Sequence, residues 1–327
     1  MNRKRVVQLV ALAALLVLGL APPAPAGELI FNLDWVVFGR HAPYYVALEK
    51  GYYKEAGLDI KIVRGYGSSD AINKIATGQA TFAFGDAGSL VIARGKGAQV
   101  KLVAMIYGKS PFAIYSLADT KIAGPKDLEG KTLAAPTFDS PRNMFPVFAK
   151  LTGIDAGKVK WLTVDGGQKD PMLFAKKTDA ITEFTPQIPI LSKRAKEQNV
   201  GLNIMKWADY GFALYSNGIM VSDELIKSKP QMVKGFVQAT MKGLQYTFDY
   251  PDEAVAMIMK HHPTLDKAVA RAELDLVKDL VLTEDAKQHG IGWVNEKTMQ
   301  TSVDWVAEAF KVEKPPVASL YTNEFLK

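Results

Sequence analysis

The chain has 327 residues, about twice the usual size of one domain, and its 48% hydrophobic content is enough for a sizeable core. It has no cysteine, which excludes a disulfide scaffold and thiol-based lipid attachment. The formal charge of +6 falls to +3 without the first 26 residues, which carry three basic and no acidic side chains, so it supplies no nucleic-acid footprint.

Those 26 residues read as a secretory signal peptide. Arg3, Lys4 and Arg5 precede VVQLVALAALLVLGLA, and the small residues Ala24 and Ala26 mark a cleavage site after Ala26. The apolar run is short for a membrane span, and small residues end it. No later stretch is apolar for long enough to cross a bilayer.

Next comes ELIFNLDW, an apolar strand that ends in a tryptophan. APYYVALEKGYYKEAG predicts a helix, with Pro43 in its first turn and Gly57 just beyond its end. LDIKIVRGY is a strand, and SSDAINKIATG a helix with Ser or Asp caps and a closing Gly78. TFAFGD, AGSLVIARGKG and VKLVAMIYG continue as strand, helix and strand. Short connections between alternating strands and helices predict a parallel sheet wrapped by helices.

The alternation resumes after SPFAIYSLADT. KTLAAPT, KVKWLTVD and DAITEF read as strands, with SPRNMFPVFAKLTG, GGQKDPMLFAKK and TPQIPILSKRAKEQ as the helices that follow them. GLNIMKWADYG and ALYSNGIMVS read as further strands, and from SDELIKSKPQ onward the chain is nearly all helical. The expected organisation is α/β in two lobes: lobe 1 from residues 27–112 and 217–327, lobe 2 from 113–216. The chain would cross near Phe112–Leu117 and return near Leu214–Ile219, and two short β-like crossings would make a hinge.

Three stretches resemble the nitrate/sulfonate/taurine and thiamine-precursor (NMT1/THI5-like) binding proteins of ABC transporters. They are LDWVVFGRHAPYYVALEKGYYKEAGLDIKIV, GYGSSDAINKIATGQATFAFGDAGSLVIARGKG and PKDLEGKTLAAPTFDSPRNMFPVFAKLTGID. KGYYKEAGLDI and DLEGK are fairly specific for the family, though not for a substrate. The resemblance implies a type II periplasmic-binding fold with ligand in a cleft between the lobes. It implies a monomer in the periplasm that captures a small solute and hands it to an ABC permease with its ATPase. No cofactor, nucleic acid or stable membrane insertion is expected. Fungal thiamine-precursor synthases share this fold and use a histidine near the third strand end and a Cys-rich motif. FAFGDAGSL has no histidine and the chain no cysteine, so an enzyme is not expected. No G-x-S-x-G motif or P-loop is present, and His261-His262 lacks metal-ligand spacing.

In open α/β sheets ligands sit beyond the carboxyl ends of the strands. The candidate ligand-binding residues are therefore Trp35, His41, Tyr44 and Tyr45 after the first strand, Gly67, Ser68 and Ser69 after the second, and Gly85 and Asp86 after the third. Phe112 stands at the crossover. The second lobe adds Thr137, Asp139, Ser140, Arg142 and Glu183, and the return strand Asn217. Ser140 and Pro141 open a helix whose free N–H groups and dipole suit an anion, and Arg142 adds a planar cation. With Arg40 and His41 opposite, the expected ligand is a sulfonate or carboxylate. Glu183 is the main opposing charge. It would pair with Arg142 or with a ligand amine, and the amine would favour a thiamine-precursor pyrimidine. Trp35 and Tyr44 would stack on a ring in either case.

Overall fold

The computed structural model describes residues 27–327, so the expected signal segment lies outside the described residues. Ten strands form two sheets of five. In chain order they are β1 (Leu29–Asn32), β2 (Ile60–Val63), β3 (Phe82–Asp86), β4 (Val100–Met105), β5 (Phe112–Leu117), β6 (Thr132–Ala134), β7 (Lys160–Leu162), β8 (Ala180–Phe184), β9 (Leu202–Lys206) and β10 (Asn217–Ser222). One sheet has the order β2-β1-β3-β10-β4 and the other β7-β6-β8-β5-β9.

The sheets are mixed rather than wholly parallel. β10 runs antiparallel to β3 and β4, and β5 antiparallel to β8 and β9. These are the strands next to the two crossings, and each enters its sheet from the opposite end. Alternation of strand and helix reports the parallel pairs well but carries no signal for a strand that arrives from another lobe. Phe112, expected to end the first lobe, opens β5 of the second sheet. The chain passes between sheets at residues 106–111 and returns at 211–216. The two passages touch: the Tyr107 N–H donates to the Asn217 carbonyl (2.7 Å) and the Ser216 N–H to the Tyr107 carbonyl (3.1 Å).

The predicted helix after β1 is two, Ala42–Glu49 and Tyr52–Glu55, divided at Gly51 with φ +76°. Helix Pro230–Asp249 packs on the first of these so closely that a Cβ at Gly243 would lie 2.4 Å from the Pro43 carbonyl. Phe236 of this long helix stacks on Phe82 of β3, ring centroids 3.7 Å apart. A second aromatic core gathers Phe112, Phe148, Trp207 and Phe212 under the other sheet. Both sheets thus present rigid strand ends to the space between them.

Candidate ligand-binding site

β1 ends at Asn32 and runs on into Leu33-Asp34-Trp35, whose carbonyls hold the turn after β2: the Gly67 N–H donates to Asp34 O (2.8 Å) and the Gly65 N–H to Trp35 O (2.9 Å). Asp34 is buried with its carboxylate fully engaged. Arg40 Nη1 (3.1 Å) and Asn217 Nδ2 (2.9 Å) donate to Oδ2, and His41 Nε2 lies 2.9 Å from Oδ1. Burial would raise the Asp34 pKa, but Arg40 and His41 outweigh it and hold the carboxyl below its ordinary value. Burial, with Arg40 beside it, pushes His41 down to about 4, so its ring is neutral at physiological pH.

A second polar cluster faces this one from the other sheet. Lys169, on the helix after β7, is buried and donates to Asp139 Oδ2 (3.0 Å) and the Thr182 carbonyl (2.6 Å), with Glu183 Oε1 at 2.7 Å. Burial works against the lysine's charge, but the two carboxylates outweigh it and its pKa is raised. Asp139 is also the cap of helix Ser140–Thr152, accepting from the Arg142 N–H (2.9 Å) and from Thr182 Oγ1 (2.9 Å). Glu183 has only the shared lysine against burial and the neighbouring carboxylates, and its pKa is raised.

Each cluster lays its cation on an aromatic ring of the other lobe. Lys169 Nζ is 4.7 Å from the Trp35 ring centroid, and Arg40 Cζ is 5.1 Å from that of Phe184. Between them lies a small chamber of about 20 Å³ whose wall includes Trp35, Gly67, Asp139, Lys169, Phe184 and Gln187. That volume admits about one water. The lobes also bond directly above it: Ser140 Oγ donates to Ser68 Oγ (2.8 Å) and Asn143 Nδ2 to Ser69 Oγ (3.0 Å). At Gly67, with φ +131°, a Cβ would sit 1.9 Å from the Phe138 carbonyl. Among the described residues, the buried Gln187 Oε1 and Arg40 Nε have no hydrogen-bond partner.

The NMT1/THI5-like family model matches residues 39–254, most of the described chain. The chain belongs to this family. A riboflavin-binding protein from Chloroflexus aurantiacus, RibY, is 27% identical over 94% of this chain and 89% of its own. A formylaminopyrimidine-binding protein from Halalkalibacterium halodurans is 23% identical over 88% of this chain and 86% of its own. Synthases of 4-amino-5-hydroxymethyl-2-methylpyrimidine phosphate also match, one from Legionella pneumophila at 24% identity over 71% of this chain and 73% of its own. The alkanesulfonate-binding protein SsuA from Xanthomonas axonopodis pv. citri, solved with MOPS, covers 92% of this chain and 99% of its own. Its TM-score is 0.71 at 13% identity. The two-lobe fold is that of the solute-binding proteins of ABC importers.

In this NMT1/THI5-like chain the expected residues divide. Trp35, Gly67, Asp139, Ser140 and Glu183 line the chamber. Ser68 and Ser69 make the cross-lobe bonds, and Asn217 and His41 stand behind Asp34. Tyr44 is a core residue, packed edge-on against Phe31 and tilted against Phe84 rather than facing the cleft. Tyr45 turns outward to His262, its hydroxyl 2.7 Å from Nε2. The helix start that holds both tyrosines is buried against helix Pro230–Asp249, a tertiary contact no local pattern reveals. Phe112 belongs to the aromatic core of the second lobe. Gly85 lies in β3 behind Ser68, and Asp86 caps the next helix through the Ser89 N–H (2.8 Å). Thr137 lines a separate outer basin.

Arg142 is the main correction. Its Nη1 donates to the Ala135 carbonyl (2.7 Å) and Thr163 Oγ1 (3.0 Å), with the guanidinium over Trp161, and it is absent from the chamber wall. Glu183 pairs with Lys169 instead. Asp34, Lys169, Phe184 and Gln187 escaped the sequence reading. Asp34 and Phe184 stand at strand ends beside residues that were chosen. Lys169 had a weaker signal, a lysine in the first turn of a helix that follows a strand.

Proposed function

We propose that this protein is an extracytoplasmic solute-binding component of an ABC importer, which closes its lobes on a small heteroaromatic solute without net charge and delivers it to a permease with its ATPase. The observation that carries the choice of ligand is the charge balance of the chamber. Arg40 and Lys169 are each already paired, and the carboxylates of Asp34, Asp139 and Glu183 stand on or beside the wall. A sulfonate or carboxylate here would meet three acidic groups and no unpaired cation, and an uncompensated buried charge is costly. The helix N-terminus at Ser140, which suited an anion on paper, already has the Asp139 carboxylate on it. The uncharged edge of a heteroaromatic ring, with mixed donors and acceptors, fits better. Gln187 and Glu183 offer it polar contacts beside Trp35 and Phe184.

Catalysis is disfavoured on the same geometry. Ser140 and Ser68 bond each other beside the buried Asp86 carboxylate, whose pKa burial raises, so its proton-accepting form is disfavoured, and the neutral His41 is engaged with Asp34. Among the described residues no helix is long and apolar enough to cross a membrane. The expected signal segment supports export, and the paired passages at 106–111 and 211–216 support hinge closure. Calorimetry with formylaminopyrimidine, riboflavin and an alkanesulfonate tests the reading. One-to-one binding of a heteroaromatic, recovered unchanged, is expected. Preference for the sulfonate, or turnover of the bound compound, would overturn it.

A further inference from the structure

Beside the inner chamber, on the seam between the lobes, lies an outer basin of about 480 Å³. Trp35 is common to both, so its ring is the partition between them. The basin's other walls come from both lobes: Arg64, Tyr66 and Asp70 on one side, Phe138, Thr163 and Gly166 on the other. Tyr66 is 53% exposed and Phe138 42%, two of the few large hydrophobic residues left in the open. Each is the chain neighbour of a residue on the inner wall, Gly67 or Asp139. The same two turns therefore send one residue into the polar chamber and an aromatic ring into the basin. Gly166 lets the partition lie where it does, since a Cβ there would sit 2.5 Å from the Trp35 ring. Arg64 rests its guanidinium 4.3 Å from the Tyr66 ring centroid and has no ion-pair partner among the described residues.

From this continuity we infer that the basin is a second ligand subsite, which takes a planar ring fused or closely linked to the polar head held in the inner chamber. The inference rests on the solute-binding reading above and adds the size and shape of the solute. The closed chamber has room for about one water, so it can grip only an edge or head group. The basin has the volume of an ordinary small-molecule pocket, with one aromatic side chain from each lobe in its wall, Tyr66 beneath Arg64 and Lys74 on one side and Phe138 on the other. A ring placed between Tyr66 and Phe138 would touch both lobes and so favour closure. Both side chains are exposed, so truncating them should not endanger folding.

Calorimetry with a fused-ring probe, riboflavin, and a single-ring probe, formylaminopyrimidine, tests the inference on the wild type, Tyr66→Ala and Phe138→Ala. We expect tighter wild-type binding of riboflavin, a loss of tenfold or more for riboflavin in each variant, and a change within twofold for the pyrimidine. Wild-type binding of the pyrimidine alone, or riboflavin affinity untouched by both variants, would overturn the subsite and leave the solute-binding reading standing. Binding of neither probe by the wild type would overturn both.

Discussion

The two polar clusters that face each other across the cleft differ in how many donors serve each carboxylate. In the first lobe, Asp34 alone takes Arg40, His41 and Asn217. In the second, one lysine is divided between Asp139 and Glu183, and Asp139 has two further donors of its own while Glu183 has no other among the described residues. In the first cluster both Asp34 oxygens are engaged, and the group without a partner is the buried Arg40 Nε. In the second, Glu183 leans on the shared lysine alone, which is where a ligand's own donor would be worth most.

The harshest way to break this comparison is Lys169→Met. It leaves two buried carboxylates without their cation, and removing one partner of a buried ion pair costs about 3–5 kcal/mol. Equilibrium urea denaturation should show a loss on that scale. Stability within about 1 kcal/mol of wild type would mean that the cluster is far wetter than its burial indicates.

The response to pH sharpens it. Glu273, which receives the Arg40 N–H (3.1 Å), is pushed by burial up to about 7 from 4.5, and Glu183 moves in the same direction. A carboxyl raised on folding contributes its stability below its unfolded pKa and loses it as pH rises through the folded value. Asp34, held low, behaves oppositely and loses its contribution only in acid. Between pH 5 and pH 8 Glu273 should therefore give stability a falling slope of up to about 3 kcal/mol, opposed below about pH 6.5 by His41, which is held down at about 4 and gains stability as its unfolded form loses a proton. Glu273→Gln should flatten that slope in thermal melts at the two pH values. An equally steep slope in the variant would remove Glu273 from the account.

A milder change acts on the seam itself. Gly67→Ala puts a methyl against the Phe138 carbonyl and asks alanine to hold φ +131°. Stability should drop by about 1–3 kcal/mol, and solute affinity should fall at least tenfold because the lobes cannot meet. Small-angle scattering should show ligand-dependent compaction in the wild type and little in the variant. Normal compaction in Gly67→Ala would show that closure does not need this contact.

Much of this could be read from the sequence because parallel strands and their helices leave a periodic pattern, and because ligand sites follow strand ends. That rule points to Trp35, Gly67, Asp139, Ser140 and Glu183, which the fold brings together on the chamber wall. It could not separate Tyr44, turned inward to Phe31, from a cleft residue, since adjacent positions at a helix start face different neighbours only once helix Pro230–Asp249 is docked. It also overvalued Arg142. A cation one turn into a capped helix looks free in sequence, and only the fold shows Ala135 and Thr163 taking its donors. The antiparallel entry of β5 and β10 was hidden for a related reason, because strand direction is set by the crossing and not by the residues of the strand.

The central claim is that the second lobe's incomplete cluster, rather than the Arg142 helix start, recognises an uncharged solute. Calorimetry on Glu183→Ala and Arg142→Ala, both checked for native circular dichroism and titrated with the solute that co-purifies with the wild type, tests it directly. A loss of at least tenfold is expected for Glu183→Ala and a change within threefold for Arg142→Ala. The reverse order, with Arg142→Ala abolishing binding and Glu183→Ala at full strength, would contradict it.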